Sequence, residues 1–110
     1  MGIVQLLTRG KTDRLIESLA GQIAANCHQA VQKRLGPQVA SMGRAEARGY
    51  IRARAAAVIA DEVEHALASQ PQLPWTYQDE LRLRATNQVV QRVTHDLFFA
   101  APHQQIRRAA

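Results

Sequence analysis

The sequence predicts an all-α fold, an up-down-up bundle of three long helices in a single domain of residues 1–110. Apolar residues recur at spacings of three and four in three separate stretches, and Gly and Pro separate these stretches. A chain of 110 residues forms one domain at most. Because the predicted connectors are short, consecutive helices should be antiparallel.

Residues 1–11 are predicted to form a short docking segment. Ile3, Val4, Leu6 and Leu7 give it an apolar opening, and the polar residues that follow, with Gly10, interrupt the pattern. A helical turn and an edge strand both fit so few residues. In either form, we expect the segment to pack on the bundle.

The first helix is predicted over residues 12–35. Thr12 or Asp13 can cap its start, and Gly36-Pro37 ends it. Cys27 lies on its apolar face, so the sequence predicts a small buried core residue and not a nucleophile. As the single cysteine, it cannot form a disulfide within the chain. The apolar face consists of Leu15, Ile16, Leu19, Ala20, Ile23, Ala24, Cys27, Ala30 and Val31.

The second helix is predicted over residues 41–69, with Ser41 as its N-cap. A start as early as Pro37 also fits, because proline is favoured in the first turn of a helix. It is unusually rich in Ala and Gly. Its charges also oppose the helix dipole, because its arginines lie in the first half and its acids in the second half. These charges are Arg44, Arg48, Arg52 and Arg54, followed by Asp61, Glu62 and Glu64.

The third helix is predicted over residues 76–100, capped by Thr76 and ended by Pro102. Trp75, in the connector before it, is expected to cover one end of the bundle. An ion pair between Arg92 and Asp96 is expected from their spacing of four. Residues 101–110 are predicted to form a frayed basic tail. The apolar face of this helix consists of Leu81, Ala85, Val89, Val90, Val93, Leu97 and Ala100.

The second helix carries apolar residues on two sides, which is typical of a helix that is covered on both. One face, expected to meet the other two helices, consists of Ala45, Gly49, Ala53, Ala56, Ala60, Val63 and Leu67. Ile51, Ala55 and Val58 lie on nearly the opposite side. Three helices cannot cover both faces, so we expect a second chain to complete the bundle. The alternative is that residues 3–7 fold back over this face.

An antiparallel copy of the second helix would also relieve its unfavourable charge order. Arg48 and Arg52 of one chain would approach Glu62 and Glu64 of the other, about a two-fold axis near residues 55–57. The first hypothesis is therefore a non-enzymatic protein-interaction module that acts as a homodimer. Its predicted interface consists of Arg48, Ile51, Arg52, Ala55, Val58 and Glu62.

The second hypothesis is a basic helical module that binds nucleic acid, another polyanion or an acidic protein surface. The net charge of +5 permits such a partner. The up-down-up order gathers cations at one pole, namely Lys33, Arg34, Arg44, Arg48, Arg107 and Arg108. Against this hypothesis, the sequence contains no zinc-finger spacing, and no aromatic residues interleave the arginines to stack bases.

Catalysis and cofactor binding have no signature in this sequence, so we expect neither. Glu62 and His65 form a Glu-x-x-His pair, which is the spacing of di-iron carboxylate bundles, but the chain holds no second copy. Duplication in a dimer could supply one; a solvated acidic face is the simpler interpretation. No apolar stretch is long enough to span a membrane and no secretory signal is visible, so we expect a cytoplasmic protein.

Overall fold

The computed structural model describes residues 2–100, with side chains described for residues 10–99. Throughout this range the chain forms helices and turns and contains no strand. The predicted all-α bundle of three helices packed against one another is confirmed. The predicted tail at 101–110, with Arg107 and Arg108, lies outside the described residues. The long helices are α1 (Gly2–Lys33), α2 (Arg44–Ser69) and α3 (Gln78–His95), and a π-helical turn (Asp96–Ala100) follows α3.

The helix α1 begins at Gly2, not at residue 12 as predicted, so residues 2–11 are its first turns and not a separate docking segment. Asp13 lies inside the helix and bonds to Arg84 in place of capping. One glycine in a helix interior costs only about 1 kcal/mol, so Gly10 does not end the helix. Because α1 is continuous, residues 3–7 do not fold back over Ile51, Ala55 and Val58, which was the alternative prediction.

The first connector delays the start of α2 to Arg44. Pro37–Ser41 form a 3-10 helix, and the Ser41 hydroxyl donates to the carbonyl of Gln38 at 3.0 Å, so it does not cap α2 as predicted. The backbone N–H of Gly36 donates to the Tyr50 hydroxyl at 2.8 Å. This bond fixes the end of α1 against the beginning of α2.

The second connector contradicts the prediction that Trp75 covers an end of the bundle, because Trp75 is 74% exposed. Leu73 is buried there instead. Trp75–Tyr77 form a 3-10 turn, so α3 begins at Gln78 and Thr76 does not cap it. Two prolines hold this connector in a conformation that turns the indole outward and the Leu73 side chain inward.

The contacts between α1 and α3 show that these two helices run in the same direction. Arg84 donates to Asp13 at 2.6 Å and to Glu17 at 2.8 Å, and it also bonds Glu80 within α3 at 2.7 Å. Further along both helices, Asp96 lies 2.8 Å from the imidazole Nε2 of His28. The predicted pairing of Asp96 with Arg92 is therefore replaced by a contact with α1.

The core is built from apolar side chains that all three helices contribute. Cys27 is buried in it, as predicted. Burial raises the pKa of the Cys27 thiol to about 11, and the nearby charge of Glu62 adds to this rise. The largest enclosed side chains are Ile16, Ile51, Ile59, Leu81, Val31, Val63, Val89 and Val93.

Candidate functional site

The side of α2 that faces the core differs from the predicted side. Its fully buried residues follow a strict spacing of four, namely Ala47, Ile51, Ala55, Ile59 and Val63, and each is 0% exposed. Residues four apart lie about 40° apart around a helix, so this column winds slowly across its surface. The prediction assumed that one side of α2 faces the core along its whole length, so it does not describe such a column.

Ile51 and Ala55 are therefore wrongly assigned to the predicted dimer interface, because their side chains are enclosed by their own chain. Val58 is half-buried and packs against the core. The physical reason is side-chain size: burying Ile removes far more apolar area from water than burying Ala. The bulky residues Ile51, Ile59 and Val63 therefore face the core, with Ala47 and Ala55 in the same buried column.

The small residues of α2 form what we call the outer ridge: Ala45, Gly49, Ala53, Ala56 and Ala57, all of them exposed. The prediction that four of these five residues, all except Ala57, face α1 and α3 is wrong. A Cβ atom added to Gly49 would meet nothing within 4 Å. The ridge is therefore a smooth surface along which another backbone could approach closely.

An exposed leucine of α3 extends the apolar surface of the outer ridge. The guanidinium of Arg52 donates to the Asn87 side-chain oxygen at 2.8 Å, which shows that these two residues lie opposite each other on the antiparallel helices α2 and α3. One turn further along each helix, this register brings Ala56 beside Leu83. Leu83 is 57% exposed. A large apolar side chain thus lies next to the centre of the ridge.

The charges beside the outer ridge have opposite signs at its two ends. Arg48 and Arg52 flank its first half, and the exposed Asp61 and Glu64 follow its second half. Glu62, which was predicted to take part in the interface, is half-buried on the side of α2 that faces α1. Glu62 therefore faces α1 and not the outer ridge.

A groove of about 440 Å³ lies between α2 and α3, next to the outer ridge. We call it the arginine groove. Arg44, Arg48 and Arg52 line one side of it, one per helical turn. The opposite side and the floor come from α3 and the turn after it, through Asn87, Val90, Gln91, Thr94, His95 and Phe99.

Aromatic side chains contact Arg44 at one end of the arginine groove. The guanidinium of Arg44 lies 5.0 Å from the centre of the Phe99 ring and 5.8 Å from that of Phe98. The rings of His95 and Phe99 stack with their centres 5.0 Å apart. Two aromatic rings thus lie beside Arg44 at one end of the line of arginines, and not between the arginines. The sequence did not reveal this contact because it depends on the register between two helices.

The predicted basic pole is only partly assembled in the described residues. Arg44 and Arg48 lie together in the arginine groove, where Arg52 joins them, although the sequence analysis assigned Arg52 to the dimer interface alone. Lys33 and Arg34 are exposed at the end of α1 but do not line the groove. The structure thus places the concentrated positive charge between α2 and α3.

Glu62 and His65, the Glu-x-x-His pair, border a shallow recess between α1 and α2. Within the described part of the chain, no three side chains of His, Cys, Asp or Glu come together as metal ligands. None of the helices described between residues 2 and 100 combines the length and apolar character that crossing a membrane requires.

Comparison of this chain with known protein families, with curated proteins and with solved structures found no match.

Proposed function

We propose that this chain is a non-enzymatic protein-interaction module of the cytoplasm, which acts as a homodimer through the outer ridge of α2. The observation that carries the proposal is the exposure of the ridge, in which five small residues lie outside a well-packed bundle. Two helices can approach closely where the side chains between them are small. Their backbones and the flanking side chains then make more contacts.

An antiparallel arrangement of two ridges brings opposite charges to the same level along the helices. With the two-fold axis near Ala56 and Ala57, Arg48 of one chain lies level with Glu64 of the partner, and Arg52 lies level with Asp61. The same pairs recur on the other side of the axis, as an isologous contact requires. Each exposed pair contributes only about 0–1 kcal/mol, so the charges set the orientation while apolar burial supplies the affinity.

Leu83 supports this arrangement because it adds a large apolar side chain beside the axis. Burying one leucine side chain stabilises an assembly by about 1.5–3 kcal/mol. In a two-fold symmetric dimer, the Leu83 side chains of both chains would be buried. The proposed interface therefore consists of the outer ridge, Leu83, and the charged residues Arg48, Arg52, Asp61 and Glu64.

Ala56→Glu should convert the dimer to a monomer. The substitution introduces an unpaired charge next to the axis, and a buried charge without a partner costs several kcal/mol. Since Ala56 is exposed in the single chain, the fold should persist. Sedimentation velocity at several protein concentrations measures the mass, and circular dichroism checks the helix content.

Ala25→Glu is the matched control, because Ala25 is an exposed residue of α1 away from the ridge. This variant should remain a dimer. A wild-type protein that stays monomeric at about 100 μM, a concentration far above the Kd of a stable dimer, would overturn the proposal. So would an Ala56→Glu variant that is folded and still dimeric.

A further inference from the structure

The arginine groove presents a regular line of positive charge. Arg44, Arg48 and Arg52 are four residues apart, so their Cα atoms advance by about 6 Å per step along the helix axis. Within residues 10–99, the ion pairs are those of Arg84 with its three acids and of His28 with Asp96. In the single chain, the three arginines therefore have no acidic partner among the described residues.

Two of these arginines are held in position by neutral partners. Asn87 accepts a hydrogen bond from Arg52, and the Phe99 ring lies under the guanidinium of Arg44. Neither partner cancels the charge, and a guanidinium has five N–H donors, so most of them remain available. Side chains that are already ordered lose less entropy when they bind.

The aromatic end of the groove adds a second kind of contact. Phe99 is 56% exposed although it is stacked with His95 and covered in part by Arg44. An exposed ring beside a line of cations is the combination that single-stranded nucleic acids bind, with phosphates on the cations and a base on the ring. An acidic peptide would use the arginines but would not need the ring.

Polar side chains of α3 also line the groove. The side chains of Asn87 and Gln91 are exposed there, and their amides can form hydrogen bonds with sugars and with the edges of bases.

We propose that the arginine groove binds a short segment of single-stranded nucleic acid, with the phosphates along Arg44, Arg48 and Arg52 and one base stacked on Phe99. This proposal concerns the single chain, because Arg48 and Arg52 also belong to the proposed homodimer interface. Strand binding and self-association should therefore compete. Binding of a duplex is disfavoured, because a groove between two helices is wide enough for a single extended strand but not for two paired strands. The expected binding depends little on base sequence, since every base has a face that can stack.

The test compares two double variants that remove the same charge. Arg44→Gln with Arg52→Gln empties the groove of two cations, whereas Lys33→Gln with Arg34→Gln removes two exposed cations outside it. Fluorescence anisotropy with a labelled oligodeoxythymidine of about 12 nucleotides measures the affinity at several salt concentrations. Thermal unfolding confirms that each variant is folded.

The groove variant should bind at least tenfold more weakly, and the slope of log K against log salt should fall in magnitude by about 1.4. The control variant should retain wild-type affinity to within about threefold, because its cations lie away from the proposed strand. Equal losses in the two variants would overturn the proposal, since they would indicate binding to general positive charge.

Phe99→Ala separates nucleic acid from other polyanions. It should weaken binding of the oligonucleotide by about fivefold or more, because it removes the stacking surface. Binding of a polyglutamate peptide of equal charge should be weak and unaffected by this change. The proposal is contradicted if the peptide or a DNA duplex binds as tightly as the single strand, or if Phe99→Ala has no effect.

Discussion

Ala55→Glu is expected to unfold the protein, although Ala55 lies in the middle of a helix rich in exposed alanines. The Ala55 side chain is 0% exposed and packs in the core. A carboxylate there would be buried without a partner, which costs about 3–5 kcal/mol or more. A single domain has only about 5–15 kcal/mol of total stability. Circular dichroism during urea unfolding measures the loss.

Ala53→Glu is the control for this experiment, because Ala53 lies two residues away on the outer ridge and is exposed. Its effect on the folded monomer should be within about 0.5 kcal/mol, as for most surface substitutions. If the two variants were equally stable, or if Ala53→Glu were the more damaging, α2 would be rotated relative to the structure described.

Ile59→Ala should lower the free energy of unfolding by about 2–4 kcal/mol, since it removes a fully buried side chain and leaves a cavity. Val58→Ala, at the adjacent half-buried position, should cost clearly less. The urea midpoints of the two variants give the comparison, provided that their denaturant dependences agree. Similar midpoints would show that Ile59 is not part of the core.

The helices themselves could be predicted from the sequence because their apolar residues repeat over several turns. Cys27 follows the same rule, since its neighbours at spacings of three and four are Ile23, Ala24 and Val31. Helix ends were predicted less well. Several residues were predicted as N-caps from their type alone, namely Thr12, Asp13, Ser41 and Thr76. Such a residue caps a helix only where its own backbone is not helical and the helix begins directly after it.

The orientation of α2 was predicted incorrectly because its two sides are both apolar. Small residues outnumber bulky ones in α2, but packing depends on the apolar area that each side chain buries. The signal that identifies the core side is the spacing of Ile51, Ile59 and Val63, which are bulky and separated by multiples of four. The outer ridge then follows as the opposite column.

The arginine groove could not be derived from spacing alone. Arg44 and Phe99 are 55 positions apart in sequence, and their contact depends on how α2 and α3 align. The turn Asp96–Ala100 has a π-helical form, which changes the direction of the side chains that follow α3. Sequence periodicity predicts neither the register nor this turn.

The proposed antiparallel homodimer predicts which introduced cysteines can be cross-linked to the equivalent cysteine of the partner chain. Ala57 lies near the proposed axis, so Ala57→Cys places two thiols close together. Gly49 lies far from the axis, and the two copies of a cysteine there would be separated by about 22 Å along the helices. The native Cys27 is buried and its thiol pKa is raised to about 11, so it should remain unreactive at neutral pH.

Cross-linking of these variants with a short bismaleimide at neutral pH is therefore the most direct measurement of self-association through the outer ridge. Denaturing electrophoresis should show a covalent dimer for Ala57→Cys, and only monomer for Gly49→Cys and for the wild type. Equal cross-linking of the two cysteine variants, or none in either, would contradict the antiparallel pairing of α2.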